Sequence, residues 1–153
     1  MKPTKDLSEF IGLLNYHRVE YVLVGGHAVA YHGYPRYTGD IDFLVRPSDA
    51  NARLILLVLQ RFGFTDAGIE INDLTEAGKV IQLGLPPNRI DIVTGISGVS
   101  FDEVAQGCIE ISIDCLSVPM IGRAELIKNK RATGRMKDMV DVEMLTKDTK
   151  ISQ

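Results

Sequence analysis

Residues 22–45 of this 153-residue chain, VLVGGHAVAYHGYPRYTGDIDFLV, set two aspartates inside an apolar strand, and few folds tolerate that. Residues 20–24 read as a short buried strand ended by Gly25-Gly26. A helix is expected over 27–33, closed by Gly33 and Pro35, then a loop and a strand over 40–45. Asp40 and Asp42 stand at i and i+2 of that strand, so both carboxylates leave the same face. A third acid, Asp91, interrupts the apolar run ArgIleAspIleVal at 89–93. Carboxylates in apolar strands are costly, and mutual repulsion adds to the cost. A divalent cation offsets both terms. The pattern predicts a hard metal held by Asp40, Asp42 and Asp91 beside a glycine turn that an anion can approach.

Taken alone, Gly25-Gly26 is a weak signal, since many tight turns look the same. It is neither the GxGxxG dinucleotide fingerprint nor a P-loop with its GKS/T. Fourteen positions separate Gly26 from Asp40, enough for one short helix and a loop, which lets turn and acids lie side by side. A DxD pair also occurs in nucleotide-sugar glycosyltransferases and in aspartyl-phosphate hydrolases. Those need a larger nucleotide-binding half or a long doubly wound domain, and neither accounts for the glycine turn or for Asp91. Arg36 and Thr38 precede the acids: Arg36 is placed to pair with a phosphate or a carboxylate, Thr38 to cap the turn or touch the metal's surroundings. His27 and His32 read as structural polar contacts, with His27 a lesser candidate for touching phosphate.

Gly25-Gly26-His27-Ala28 followed by Arg36-Tyr37-Thr38-Gly39-Asp40-Ile41-Asp42 resembles the nucleotidyltransferase superfamily related to DNA polymerase beta. It is most similar to small bacterial and archaeal members with a Gly-Gly-x-Ala turn and an Arg-x-Thr-x-Asp-Ile-Asp strand entry. The resemblance covers about residues 20–95, with a weaker match through 130–138. Gly26 stands where the commoner pattern has Ser, so backbone N–H groups would serve phosphate without a hydroxyl. The resemblance implies transfer of a nucleoside monophosphate from an NTP, such as ATP, to a hydroxyl of an RNA (tRNA among the candidates), a protein or a small molecule. It implies two Mg2+ or Mn2+ ions, with Asp91 helping to deprotonate the hydroxyl. It also implies nucleotide contacts from Gly25, Gly26, Arg36, Thr38, Lys130 and Arg135. Many members of the group are toxins of toxin–antitoxin pairs or resistance enzymes, so a cognate antitoxin is an implied partner. Two rivals remain: a nucleotide-binding regulatory module without turnover, and a subunit that binds a partner through basic C-terminal helices.

The rest of the chain predicts one α+β domain over 1–153, a nucleotidyltransferase-like mixed sheet with helices packed on one side. Leu7, Phe10, Ile11 and Leu14 have helical spacing in 5–17, and Ser48 caps a helix to about 62. Strands are expected over 69–73, 79–85, 89–94 and 108–114, a short helix near 101–106, and helices over 123–131 and 135–147. Between Arg123 and Lys137 six cations face one acid, Glu125, which fits either a solvated helix face or a basic lip toward a triphosphate. Lys130, Arg135, Asp138 and Asp141 could equally form an internal salt-bridge lattice. The net charge of −3 argues against non-specific coating of nucleic acid. No apolar run approaches the roughly 20 residues that span a bilayer, and 1–6 shows no signal-peptide pattern, so a cytoplasmic protein without membrane contact is expected. Cys108 and Cys115 lack zinc spacing and read as reduced, mostly buried thiols.

Overall fold

Alternation in residues 40–45 becomes a strand with two chemically opposite faces, and the rest of the molecule is built around it. The computed structural model describes residues 4–35, 37–64 and 68–151. Its elements are α1 (Lys5–Tyr16), β1 (Tyr21–Val24), α2 (Gly26–Tyr31), β2 (Asp40–Val45), α3 (Asp49–Phe62), α4 (Ile71–Thr75), β3 (Val80–Leu83) and β4 (Arg89–Val93). There follow α5 (Phe101–Gly107), β5 (Ile109–Ile113), β6 (Leu116–Met120), α6 (Arg123–Thr133) and α7 (Met136–Ile151). The six strands form one mixed sheet in the order β3-β4-β2-β1-β6-β5. β2 runs parallel to β4 and antiparallel to β1, and β1 meets β6 in parallel at Leu23↔Met120. No helix among the described residues is long and apolar enough to cross a membrane.

One face of β2 carries Ile41, Phe43 and Val45, all buried. The Phe43 ring lies 5.7 Å from Phe10 of α1, which lies 5.3 Å from Phe62 of α3. These two helices therefore close the apolar face, and Phe10, Leu14, Phe43, Ile55, Leu59, Ile92 and Met120 belong to one buried cluster. Alternation then leaves Asp40 and Asp42 on the opposite face. Local signals set the helix ends: Ser48 Oγ accepts from Asn51 N at 3.2 Å, and Gly63 stops α3 at φ 105°.

Three expectations change. Residues 69–73 are not a strand: Glu70 and Asp73 form a reciprocal capping box, with Glu70 N donating to Asp73 Oδ2 at 2.9 Å, and open helix α4. The segment leading to Pro119 is strand β6. It pairs with β5 through the Asp114-Cys115 turn, whose two positive φ angles (51° and 65°) suit a tight hairpin. Cys115 at that turn is exposed and Cys108 half-buried, so the thiols are not the buried pair expected.

Asn51 fastens β2 to β1. Its buried side chain accepts from Glu20 N at 2.8 Å and donates to Glu20 O at 3.0 Å and Arg46 O at 3.1 Å. Asn51→Ala is expected to cost about 1–3 kcal/mol in urea unfolding, because it removes three side-chain-to-backbone hydrogen bonds, although Glu20 O keeps Arg46 N as a donor. A change under about 0.5 kcal/mol, less than one net hydrogen bond, would show that the strands hold register without it.

Candidate functional site

Strand register does most of the work of assembling the acids. In the parallel ladder, Asp42 pairs with Asp91 and Asp40 with Arg89, so four charged residues of β2 and β4 share one sheet face. One ligand oxygen from each of Asp40, Asp42 and Asp91 lies within 4.8 Å of the others. Asp91 is buried, whereas Asp40 and Asp42 are half-buried. Thr38 Oγ1 donates to Asp40 Oδ1 at 3.0 Å and to Asp40 O at 3.1 Å, which fixes the carboxylate at the strand entry.

The glycine turn touches this cluster. Gly25 takes φ 75°, ψ −152°, and a Cβ there would overlap Asp42 Oδ2. A Cβ at Gly26 would come 2.9 Å from Thr38 Oγ1. The two glycines thus let the backbone lie directly against the acids. His27, Thr38, Asp40 and Arg89 line a cleft of about 280 Å³ whose apolar wall includes Leu7, Phe62, Phe64 and Leu85. Arg36 lies outside the described residues.

Arg89 is the residue that sequence reasoning passed over. Its Nε donates to Asp91 Oδ1 at 2.9 Å, and its Nη2 donates to Asp40 Oδ2 at 2.7 Å and Asp91 Oδ2 at 3.1 Å. The i, i+2 spacing of Arg89 and Asp91 was a visible signal that they share a face. Its pairing with Asp40 depends on inter-strand register and was not visible.

Electrostatics within the cluster are uneven. Burial, then the charges of Asp40 and Asp91, push the Asp42 carboxyl up to about 7. Burial also raises Asp91 despite Arg89. For Asp40 burial acts upward too, but the Thr38 and Arg89 hydrogen bonds outweigh it and hold the group below its ordinary value. Desolvation lowers His27 despite the nearby Asp40. Three converging carboxyls, with Asp42 pushed up first by burial and then by its two neighbours, form an all-oxygen donor set for a hard divalent cation. The residues present therefore fit the expected metal.

The second constellation closes on itself. Lys130, buried between α6 and α7, lies 3.1 Å from Asp138 and 3.3 Å from Asp141. Asp138 also accepts from Thr133 and Arg135, each at 2.6 Å. Burial pushes Asp138 up, yet Thr133, Arg135 and Lys130 overcome it and take the carboxyl down to about 2. Neither Lys130 nor Arg135 lines the cleft beside Asp40. His32 sits elsewhere, bonded to Ile121 O at 2.8 Å.

No family model matches this sequence, and no curated protein matches it significantly. Its fold is similar to that of solved antibiotic adenylyltransferases. A solution structure of the antibiotic-resistance factor ANT(2'')-Ia matches with a TM-score of 0.58 at 12% identity, covering 94% of this chain and 82% of that one. The crystal structure of ANT(2'')-Ia in complex with adenylyl-2''-tobramycin gives 0.57 at 12% identity, covering 94% and 87%. The lincosamide antibiotic adenylyltransferase LnuA, lincomycin-bound, gives 0.54 at 15% identity, covering 95% and 97%. The chain thus has a nucleotidyltransferase-type α+β fold with a six-stranded mixed sheet.

Two predictions follow the two clusters. In metal-free protein the folded state holds a proton on Asp42 between its ordinary 3.8 and about 7, so Asp42 lowers stability as pH rises through that window. Asp42→Asn should therefore raise the melting temperature at pH 8 by several degrees, each ~1 kcal/mol being roughly 2–4 °C at this size. The gain should shrink away below about pH 3, where the wild-type carboxyl is largely neutral in both states. For the closed cluster, Lys130→Ala is expected to cost about 3 kcal/mol by leaving two buried carboxylates short of a counter-charge. Arg135→Ala, whose head is exposed, should cost at most about 1 kcal/mol. Chemical denaturation of both variants checks the ranking.

Proposed function

We propose that this protein is a metal-dependent nucleotidyltransferase that moves a nucleoside monophosphate from an NTP to a hydroxyl acceptor. The observation that carries the reading is the convergence of Asp40, Asp42 and Asp91, from two adjacent strands, within 4.8 Å. Asp40, Asp42 and Asp91 would hold one or two Mg2+ or Mn2+ ions, which when bound neutralise the triphosphate and acidify the acceptor hydroxyl. Gly25 and Gly26 offer backbone N–H groups to the phosphates beside Asp42. Thr38 keeps Asp40 aimed at the site. Asp91, converging with the other two acids, would by the resemblance help to take the acceptor's proton.

In the reaction, the acceptor oxygen bonds to the α-phosphorus and the α–β bridging bond breaks. Pyrophosphate leaves with the bond's electrons, and the hydroxyl proton passes to Asp91 or solvent. Such chemistry asks the protein for positioning and charge neutralisation rather than a covalent group. Lys130 and Arg135 support the nucleotide-binding reading less, since their heads are committed to Asp138 and Asp141. Arg36, by the resemblance, belongs near the phosphates.

A small-molecule hydroxyl is the acceptor the structure favours. The cleft of about 280 Å³ that adjoins Asp40 has one apolar wall and one polar wall, the character of a small-ligand pocket. The similar solved proteins carry an adenylylated tobramycin and lincomycin. A tRNA or protein acceptor and a toxin–antitoxin partnership draw support from the sequence resemblance alone. The rival of an inactive binding module gains nothing from a site in which all three acids converge.

Incubation with each α-labelled NTP, Mg2+ and a panel of hydroxylated small molecules, RNA and protein extract tests the reading. Label should move to one acceptor class, and Asp91→Asn should lower transfer by at least about 100-fold while the fold persists, as for loss of a general base or charge-stabilising group. Pyrophosphate release with no labelled acceptor from any class, or full transfer by Asp91→Asn, would refute it.

A further inference from the structure

Arg89 takes up the oxygens a metal would need. Its guanidinium grips Asp91 through Nε and Nη2 and reaches Asp40 Oδ2 at 2.7 Å, so both outer members of the triad are engaged by one side chain. Asp91 is 7% exposed and Asp40 26%, which makes an unbalanced pair of charges here expensive. Arg89 itself is a quarter exposed and also lines the cleft, so its head has open space to move into without unpacking the core. Asp42 receives no hydrogen bond from it.

We infer that Arg89 is an exchangeable counter-cation: it holds the triad together when no metal is bound and yields Asp40 and Asp91 when a divalent ion enters. The released guanidinium remains at the mouth of the cleft, where an incoming triphosphate offers oxygens of the same bidentate geometry. This rests on the triad being the metal site proposed above. A permanent structural salt bridge would behave differently, because it would have to survive metal entry and would not compete with it. The arrangement makes metal-free protein stable while setting a threshold on metal occupancy, and that threshold drops when a triphosphate supplies a new partner for Arg89.

The test is Mn2+ binding followed by electron paramagnetic resonance, which reads free ion directly and needs no turnover. It is run at pH 8.5 without nucleotide on wild type, Arg89→Met, Arg89→Lys and Lys79→Met. Lys79, paired with the exposed Glu76 beside β3, removes the same unit charge without touching the triad and controls for the general field. Arg89→Met is expected to bind Mn2+ roughly tenfold tighter than wild type, since no charge-assisted bonds must be broken on entry, with Lys79→Met nearly unchanged. Melting curves should show metal-free Arg89→Met below wild type and a larger upward shift on adding Mn2+. Arg89→Lys, which keeps the charge but loses the fork, falls between and serves if Arg89→Met does not fold. Unchanged or weaker Mn2+ affinity in Arg89→Met, or equal tightening in Lys79→Met, overturns the exchange. If neither wild type nor variant binds Mn2+, the triad reading fails first and takes this one with it.

Discussion

Three carboxylates and one guanidinium on a single sheet face are the constraint that the rest of the structure serves. Each acid alone would be a poor choice for an interior strand. Together they need strands β2 and β4 parallel, adjacent and in the register that sets Asp42 opposite Asp91 and Asp40 opposite Arg89. A slip of one residue would turn the whole set into the apolar layer. The opposite face prevents that slip, because Ile41, Phe43, Ile90 and Ile92 are buried there together and Phe43 is packed against Phe10. The core is thus the device that aims the acids, and its own stability is what the acids draw on.

The two charged clusters of the molecule illustrate opposite solutions to one problem. Around Asp138, cations and hydroxyls outnumber the charge they must satisfy, and the carboxyl is held down to about 2. That cluster ties α6 to α7 through Lys130, Asp138 and Asp141. Around Asp42, acids outnumber cations three to one among Asp40, Asp42, Asp91 and Arg89, and the carboxyl is driven up to about 7. This excess of negative charge is what a bound cation would relieve. Of the six cations between Arg123 and Lys137, Lys130 and Arg135 engage Asp138 and Lys128 pairs with Glu103 at the surface.

Sequence legibility follows the range of the forces involved. The span of β2 could be read because alternation is local, and the shared face of Asp40 and Asp42 came with it. The start of α3 at Ser48 was readable from its cap. Segment 69–73 misled because its apolar residues are few; the Glu70 and Asp73 capping box was the better local signal. β6 was hidden by Pro119, a residue that argues against an inner strand. It is tolerated here one position before the contact with β1 at Leu23↔Met120, where Ile121 N donates to Leu23 O at 2.9 Å. Arg89 was hidden by distance: it lies 49 positions along the chain from Asp40, and only the fold of the intervening α3, α4 and β3 makes them neighbours.

Similar folds at 12–15% identity are physically reasonable for such a molecule. Most positions here need only an apolar side chain of suitable volume, and cores accept many such sets. The residues that cannot be exchanged freely are few and lie in short stretches. Gly25 must lack a Cβ because Asp42 fills that space, and Gly26 is pressed against Thr38. Thr38 must present a hydroxyl to Asp40, and Asp40, Asp42 and Asp91 must present oxygens to one another's centre. These positions lie on the loop-to-strand entry of β2, on β4 and at the end of β1, where three neighbouring strands of the sheet meet. Chemistry that depends on placing charge, rather than on a reactive side chain, can be carried by so small a set. The rest of the chain is then free to vary in shaping the cleft beside Asp40.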